Sequence, residues 1–229
     1  MGGTNGIGTL RERSLHAGLK AHLARDGDSI EALVDGYHID ILRDELLIEI
    51  QTGNFGKMKS KLSKLLQTHE ILLIYPIPTK KWIVRLNQRG KEVARRKSPG
   101  KGRTENVFRE LIRMPEIAAH PNLAIELLFT HEEEIWRDDG KGSWRRGKWS
   151  IEDRRLLDVV GATRLQGRSD FLGVLPTSLP EEFTNKELAK EGRMPINLAT
   201  KMTYCLRRMG YLEMVGKRGQ AYVFSAGAT

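Results

Sequence analysis

The chain of 229 residues carries 38 Lys and Arg against 29 Asp and Glu, a formal net charge of +9 and an isoelectric point near 9.7. That excess favours a polyanion such as DNA as partner. A single cysteine, Cys205, excludes an intramolecular disulfide and a thiolate zinc cluster, and the absence of a long apolar run or signal-peptide core leads to the expectation of a cytoplasmic protein without a membrane span.

Glycines crowd the start at positions 2, 3, 6 and 8, but no strand precedes them and no Gly-Lys-Ser/Thr follows, so they read as flexible chain rather than a phosphate loop. A helix is expected over 10–24, with Leu15, Leu19 and Leu23 along its apolar stripe and Glu12 on that same stripe. Residues 37–42 and 46–52 read as strands joined by a hairpin loop over 43–46. Leu42 then faces Leu47, and Asp40 faces Glu49. Each acid stands where a core strand would take a hydrophobe. Cross-strand Cβ atoms lie about 4.5–5.5 Å apart, so two carboxylates there repel, and a shared divalent cation would remove the penalty. Mg²⁺ (or Mn²⁺) takes oxygen ligands from one or two carboxylates and completes its shell with waters and a substrate phosphate, which points to a phosphodiester-cleaving site. The plainer alternative is an edge pair that faces solvent or meets Lys and Arg. Residues 55–68 follow as a helix with Met58, Leu62, Leu65 and Leu66 on its apolar side and Lys57, Lys61 and Lys64 alongside. Strands over 71–75 and 82–86 come next, and the strand–helix–strand order predicts a parallel pair added to the antiparallel hairpin.

Glu12 on a helix, Asp40 on one strand, Glu49-Ile50-Gln51 on the next and a basic helix after it resemble the restriction-endonuclease-like, or PD-(D/E)xK, nuclease superfamily over about residues 8–90. The resemblance implies an α/β, mixed-sheet core over 1–95, with Asp40 and Glu49 as metal ligands, the Ile50 carbonyl completing the shell, and Glu12 supporting a water or second ion. Position 51 departs from the motif, whose lysine is replaced by Gln51. A glutamine can orient a water but carries no charge. Lys57 and Lys61 are the candidates to supply the missing cation near developing negative charge.

Between Arg85 and Arg103 eight basic residues meet only Glu92, and Ser98-Pro99-Gly100-Lys101-Gly102 suggests an exposed linker. The middle, 96–178, reads as a bridge or a second small winged-helix-like unit. Its expected elements are a helix around Val107, Leu111 and Met114, a strand within 123–136, a turn at 138–142 and a helix over 151–160. Glu132, Glu133 and Glu134 read as a solvated strand end. Trp144 and Trp149 flank Arg145 and Arg146; they read as packing residues, with stacking on bases as the alternative.

In the last segment, 179–229, Thr184-Asn185-Lys186-Glu187 forms a capping box that opens a short helix, and Pro195 opens a second one reaching about 208. Strands over 211–215 and 221–224 flank a basic tip. This order resembles an α+β winged-helix domain. Asn197, Lys201, Tyr204 and Arg208 share one stripe of the second helix, as a recognition helix would present to a major groove, and Lys217 and Arg218 would reach a neighbouring phosphate. The whole is read as a metal-dependent DNA endonuclease, with a homodimer expected for double-strand cleavage. The alternatives are a non-catalytic DNA-binding regulator and a protein-interaction module.

Overall fold

The structure is a computed structural model that describes residues 14–227. Its elements in order are α1 (Ser14–Leu23), β1 (Ser29–Val34), β2 (Tyr37–Arg43), β3 (Leu46–Ile50), a 3₁₀ turn (Phe55–Met58) running into α2 (Lys59–Leu65), β4 (Ile71–Leu86) and β5 (Glu92–Lys97). A second 3₁₀ turn (Thr104–Val107) leads into α3 (Phe108–Leu111), followed by α4 (Pro115–Ala118), β6 (Leu123–Arg137), β7 (Ser150–Leu165) and α5 (Gly167–Leu172). The chain closes with β8 (Glu182–Thr184), α6 (Asn185–Glu191), α7 (Ile196–Arg208), β9 (Glu213–Arg218) and β10 (Ala221–Ser225). The architecture is mixed α/β. One mixed sheet of seven strands has the order β1-β2-β3-β4-β6-β7 with β5 added on β4, and a separate three-stranded sheet has the order β8-β10-β9. Among the described residues no helix is long and apolar enough to cross a membrane.

Local chemistry explains the sheet's first half. Asp44 takes a left-handed conformation (φ 51) in a tight turn, which sets Leu42 opposite Leu47 as the alternation requires. The polypeptide then crosses through α2 and returns as β4, parallel to β3, with Leu47 beside Ile71 and Ile50 beside Ile74. Leu15 and Leu19 of α1 cover one face against Ile41, Ile48, Ile50, Leu72 and Ile74. The other face packs on Leu62 and Leu65 of α2, Phe108 and Leu111 of α3, and Phe171 of α5. That second cluster runs on without a break into Leu198, Met202, Cys205 and Leu206 of α7, so the C-terminal helices share the main core.

Several sequence expectations are corrected. Residues 71–86 are one strand, not two; Pro76 and Pro78 fall after the last β3 pairing and before β5 begins, where a missing N–H leaves no ladder bond unmade. The Pro78 carbonyl on that open edge accepts the Gly102 N–H at 2.8 Å. The stretch expected as a linker is the β4–β5 hairpin. All six β5 residues are exposed, so no alternation of apolar residues betrays the strand. Residues 151–160 form part of β7 rather than a helix: register shifts opposite Phe129, His131 and Ile135 break the two-residue period and leave Leu156 inward while Leu157 and Val160 face out. The sheet therefore runs from Ser29 to Leu165, and a boundary near 95 falls inside β5. The middle region, expected as a bridge or separate unit, supplies β6 and β7 of the same sheet. Glu132 and Glu134 are buried, at 2% and 3% exposure, rather than solvated. Thr130 Oγ1 donates to Glu132 at 2.6 Å, while Glu134 accepts from Trp136 Nε1 at 2.7 Å and from Lys81 at 3.0 Å.

Candidate functional site

Asp40 and Glu49 come together where β2 and β3 part. The ladder between these strands reaches Ile41 opposite Ile48 and goes no further. On the other side of β2, Glu31 takes φ 54 and skips its pairing, so β2 is irregular at Asp40. The carboxylates consequently do not meet as a plain cross-strand pair. Asp40 turns to the α1 layer, with His16 Nε2 3.2 Å from its Oδ2 and Lys20 Nζ 3.7 Å from its Oδ1. The same Oδ2 accepts the Ile50 N–H at 2.8 Å. Glu49 turns to the α2 layer, where Lys61 Nζ donates to Oε1 and also to the His38 carbonyl.

The two acids sit in opposite electrostatic states. Burial pushes Asp40 up, but the His16 contact, the Ile50 N–H and the Lys20 charge outweigh it and hold its carboxyl below the usual range. Glu49 is 4% exposed, and that burial pushes it up to about 7; Lys61 pulls against the shift while the nearby Asp40 charge adds to it.

Of the residues expected at the site, the structure brings together Asp40, Glu49, Ile50 and Lys61. Lys57 is exposed in the 3₁₀ turn. Gln51 turns away, its Nε2 donating to the carbonyls of Gly53 and Asn54 within its own turn. Glu12 lies outside the described residues. His16 and Lys20 are additions that the count of apolar positions passed over; the available signal was the recurrence of polar residues at 12, 16 and 20, one face of a helix.

Among the described residues no three His, Cys, Asp or Glu side chains group to hold an ion. The donors that are present are two carboxylates, one fully available as an anion, with the Ile50 carbonyl on the strand edge that faces Asp40. All are hard oxygen donors of the kind Mg²⁺ or Mn²⁺ takes, and the Asp40 charge that disfavours ionised Glu49 is one a divalent cation would offset.

A cavity of about 410 Å³ lies along β4 beyond its β3 pairing, lined by Tyr75, Ile77, Lys101, Asn106 and Arg109. Tyr75 follows Ile74, whose carbonyl accepts the Gln51 N–H at 2.9 Å, and its ring meets Phe55 edge-on at 5.1 Å.

A family model described as a domain of unknown function, DUF8091, matches residues 13–166. The chain belongs to the DUF8091 family. The DUF8091 region spans α1 and the whole seven-stranded sheet, including Asp40, Glu49 and Lys61, and stops before α5. The chain is also similar to an uncharacterized protein of Treponema pallidum (strain Nichols), 32% identical over 219 residues that cover 95% of this chain and 86% of the relative. No solved structure matches.

Outside the DUF8091 region, Asn197 and Tyr204 are exposed on α7 and Lys201 is half-buried. Arg208 is engaged by Glu116 of α4, with Nε donating at 2.6 Å, which ties α7 to the main body. Arg218 donates to Glu187 of α6 at 2.7 Å, and Lys217 lies 5.1 Å from the Tyr222 ring centroid.

Proposed function

We propose that this chain is a metal-dependent nuclease that hydrolyses DNA phosphodiester bonds at a restriction-endonuclease-like site, with α6 to β10 acting as a winged-helix unit that positions it on DNA. The observation that carries the reading is the Asp40–Glu49 pair with Lys61 reaching it from the following helix. Asp40, Glu49 and the Ile50 carbonyl would hold Mg²⁺ or Mn²⁺, which when bound neutralises phosphate charge and lowers the pKa of water. Lys61 places a positive charge beside Glu49 where the motif lysine is missing, and it suits the developing negative charge of a phosphoryl transition state. Lys101 and Arg109, in the cavity along β4, are cations suited to backbone phosphates of bound DNA. The net charge of +9 and the exposed Asn197 and Tyr204 on α7 support a DNA partner.

The test incubates the wild type and Asp40→Asn with supercoiled, linear and branched DNA in Mg²⁺, Mn²⁺ or EDTA at low salt. Metal-dependent cutting by the wild type, lost in the variant, supports the nuclease. A second reading, a non-catalytic DNA-binding regulator, is favoured by Gln51 turning away from the carboxylates. Salt-sensitive DNA binding without cutting on any of those substrates would select it.

A further inference from the structure

The end of the large sheet remote from Asp40 and Glu49 has its own chemistry. Glu49 pairs with Leu73, and Arg85 lies twelve residues further along β4, roughly 40 Å at the usual strand rise. There the β4–β5 turn and the β6–β7 loop lie side by side, with the Asp138 N–H donating to the Leu86 carbonyl at 3.0 Å.

The β6–β7 loop is internally built rather than slack. The Gly142 N–H donates to the Lys148 carbonyl at 2.7 Å, Lys148 N–H to Ser143 at 3.0 Å, and Gly147 N–H to Trp144 at 3.0 Å. Asp139 accepts from the Lys141 N–H and from Ser150 Oγ. Its two tryptophans have different roles. Trp149, with Trp136 of β6, sandwiches the Arg85 guanidinium at centroid distances of 5.2 and 5.7 Å, which is a packing arrangement. Trp144 stands on the crest, 80% exposed, with only the Arg145 guanidinium over its ring at 5.5 Å. An aromatic surface of that size held out on a fixed loop is a contact waiting for a flat partner.

Charge selects the partner. Arg145 and Lys148 stand on this loop and Arg89 and Lys91 on the β4–β5 turn beside it, none of them in an ion pair among the described residues, while Asp139 is absorbed within the loop. A duplex keeps its base faces stacked and out of reach of a protruding indole. A membrane surface would call for more than one apolar residue, and Trp144 is the one large exposed hydrophobe of this loop. An unpaired base offers a π-face, with phosphates on both sides for the cations.

We propose that the tip is a second nucleic-acid contact, at which Trp144 stacks on an unpaired base while Arg145, Lys148, Arg89 and Lys91 hold the flanking phosphates. The inference rests on the nucleic-acid reading above but not on catalysis, and it makes the substrate a DNA with a single-stranded segment beside the cut duplex.

The test uses the full chain in EDTA, so that no strand is cut. Anisotropy of a labelled dT20 strand and of a 20-base-pair duplex is titrated with wild type, Trp144→Ala, Trp144→Phe and Arg145→Ala/Lys148→Gln at two salt concentrations. Trp144→Ala is expected to lose about tenfold on the single strand and nothing on the duplex, with Trp144→Phe retaining most of the affinity. The double variant should lower the slope of log affinity against log salt by about 1.4 for its two phosphates on a single strand. Equal losses on strand and duplex, or no loss on either, overturn the assignment. So does tight binding to phosphatidylserine vesicles that depends on Trp144 while DNA binding does not. Asp40→Asn separates the two readings: retained single-strand binding that still needs Trp144 sustains the tip whatever becomes of the nuclease, whereas a wild type that binds neither DNA form removes both.

Discussion

Glu49 offers the sharpest physical test of the site. Its carboxyl titrates near 4.5 in an exposed chain and is pushed up to about 7 in the folded one, chiefly by burial. Between those two values the folded protein keeps a proton that the unfolded chain has released, so stability falls as pH rises through this window. The gap, at 1.36 kcal/mol per pH unit, comes to about 3 kcal/mol, and with the residue 4% exposed there is little solvent screening to discount it. Asp40 acts in the opposite sense and elsewhere: its lowered carboxyl stabilises the fold at neutral pH, and that contribution is lost only as pH falls below the ordinary carboxylate range. Glu49→Gln keeps the side-chain shape and removes the titration. Urea unfolding of both proteins from pH 5 to pH 8 should show the wild type losing about 2.5 kcal/mol relative to the variant, the part of the window that this range spans. On the proposed reading, adding Mg²⁺ should flatten the wild-type curve, because a cation held there would favour the ionised carboxyl, and move the variant less. Parallel pH curves for the two proteins would refute the argument, since they would mean that Glu49 ionises in the folded state as it does in the unfolded one.

Two further perturbations test neighbouring parts of the structure. On the proposed reading Lys61→Met should lower DNA cleavage by about 10²- to 10³-fold while Lys57→Ala leaves it unchanged, and a gel assay showing equal effects would remove the relocated lysine. Gly102→Ala places a Cβ 2.5 Å from Ile77 Cγ2 and 2.6 Å from the Pro78 carbonyl oxygen, so thermal or urea unfolding should show a loss of about 1–3 kcal/mol; an unchanged midpoint would mean that the 98–102 loop is not seated on β4.

What the sequence made legible follows from how strongly one face of each element is buried. The β2–β3 hairpin was readable because its core side chains alternate and its turn is short, and Leu42 does face Leu47. The parallel β3–β4 pair followed from the helix between them. β5 was illegible because an edge strand exposed along its whole length has no pattern to read, and β7 because bulges shift its inward positions out of phase. At the site, Asp40 and Glu49 were visible as acids where core strands take hydrophobes, whereas Lys61 was named, together with Lys57, only through the resemblance and its missing motif lysine. The turning of Gln51 was not, since its partners are carbonyls of its own turn and depend on the left-handed Asn54. The direct meeting of Asp40 with Glu49 failed for a comparable reason: nothing in β2 itself announces that Glu31 on the neighbouring strand will skip its pairing.

That skipped pairing separates the two carboxylates into different layers, and the separation has a kinetic consequence. Two neighbouring acids whose surroundings push them apart can hold different protonation states at one pH. Asp40, held low by His16, Lys20 and the Ile50 N–H, is an anion throughout the physiological range. Glu49, held near 7, gains its full charge only on the alkaline side of neutrality. If both must be ionised to serve the proposed reaction, cleavage is limited by the fraction of Glu49 that has lost its proton. The log of the rate at sub-saturating Mg²⁺ should then climb with a slope of one below about pH 7 and level off above it. Raising Mg²⁺ should move the bend to lower pH, because the cation competes with the proton for the same oxygens. A cleavage rate flat from pH 5.5 to 8 would show that Glu49 is not the limiting ionisation, and the division of labour between the two layers would have to be abandoned.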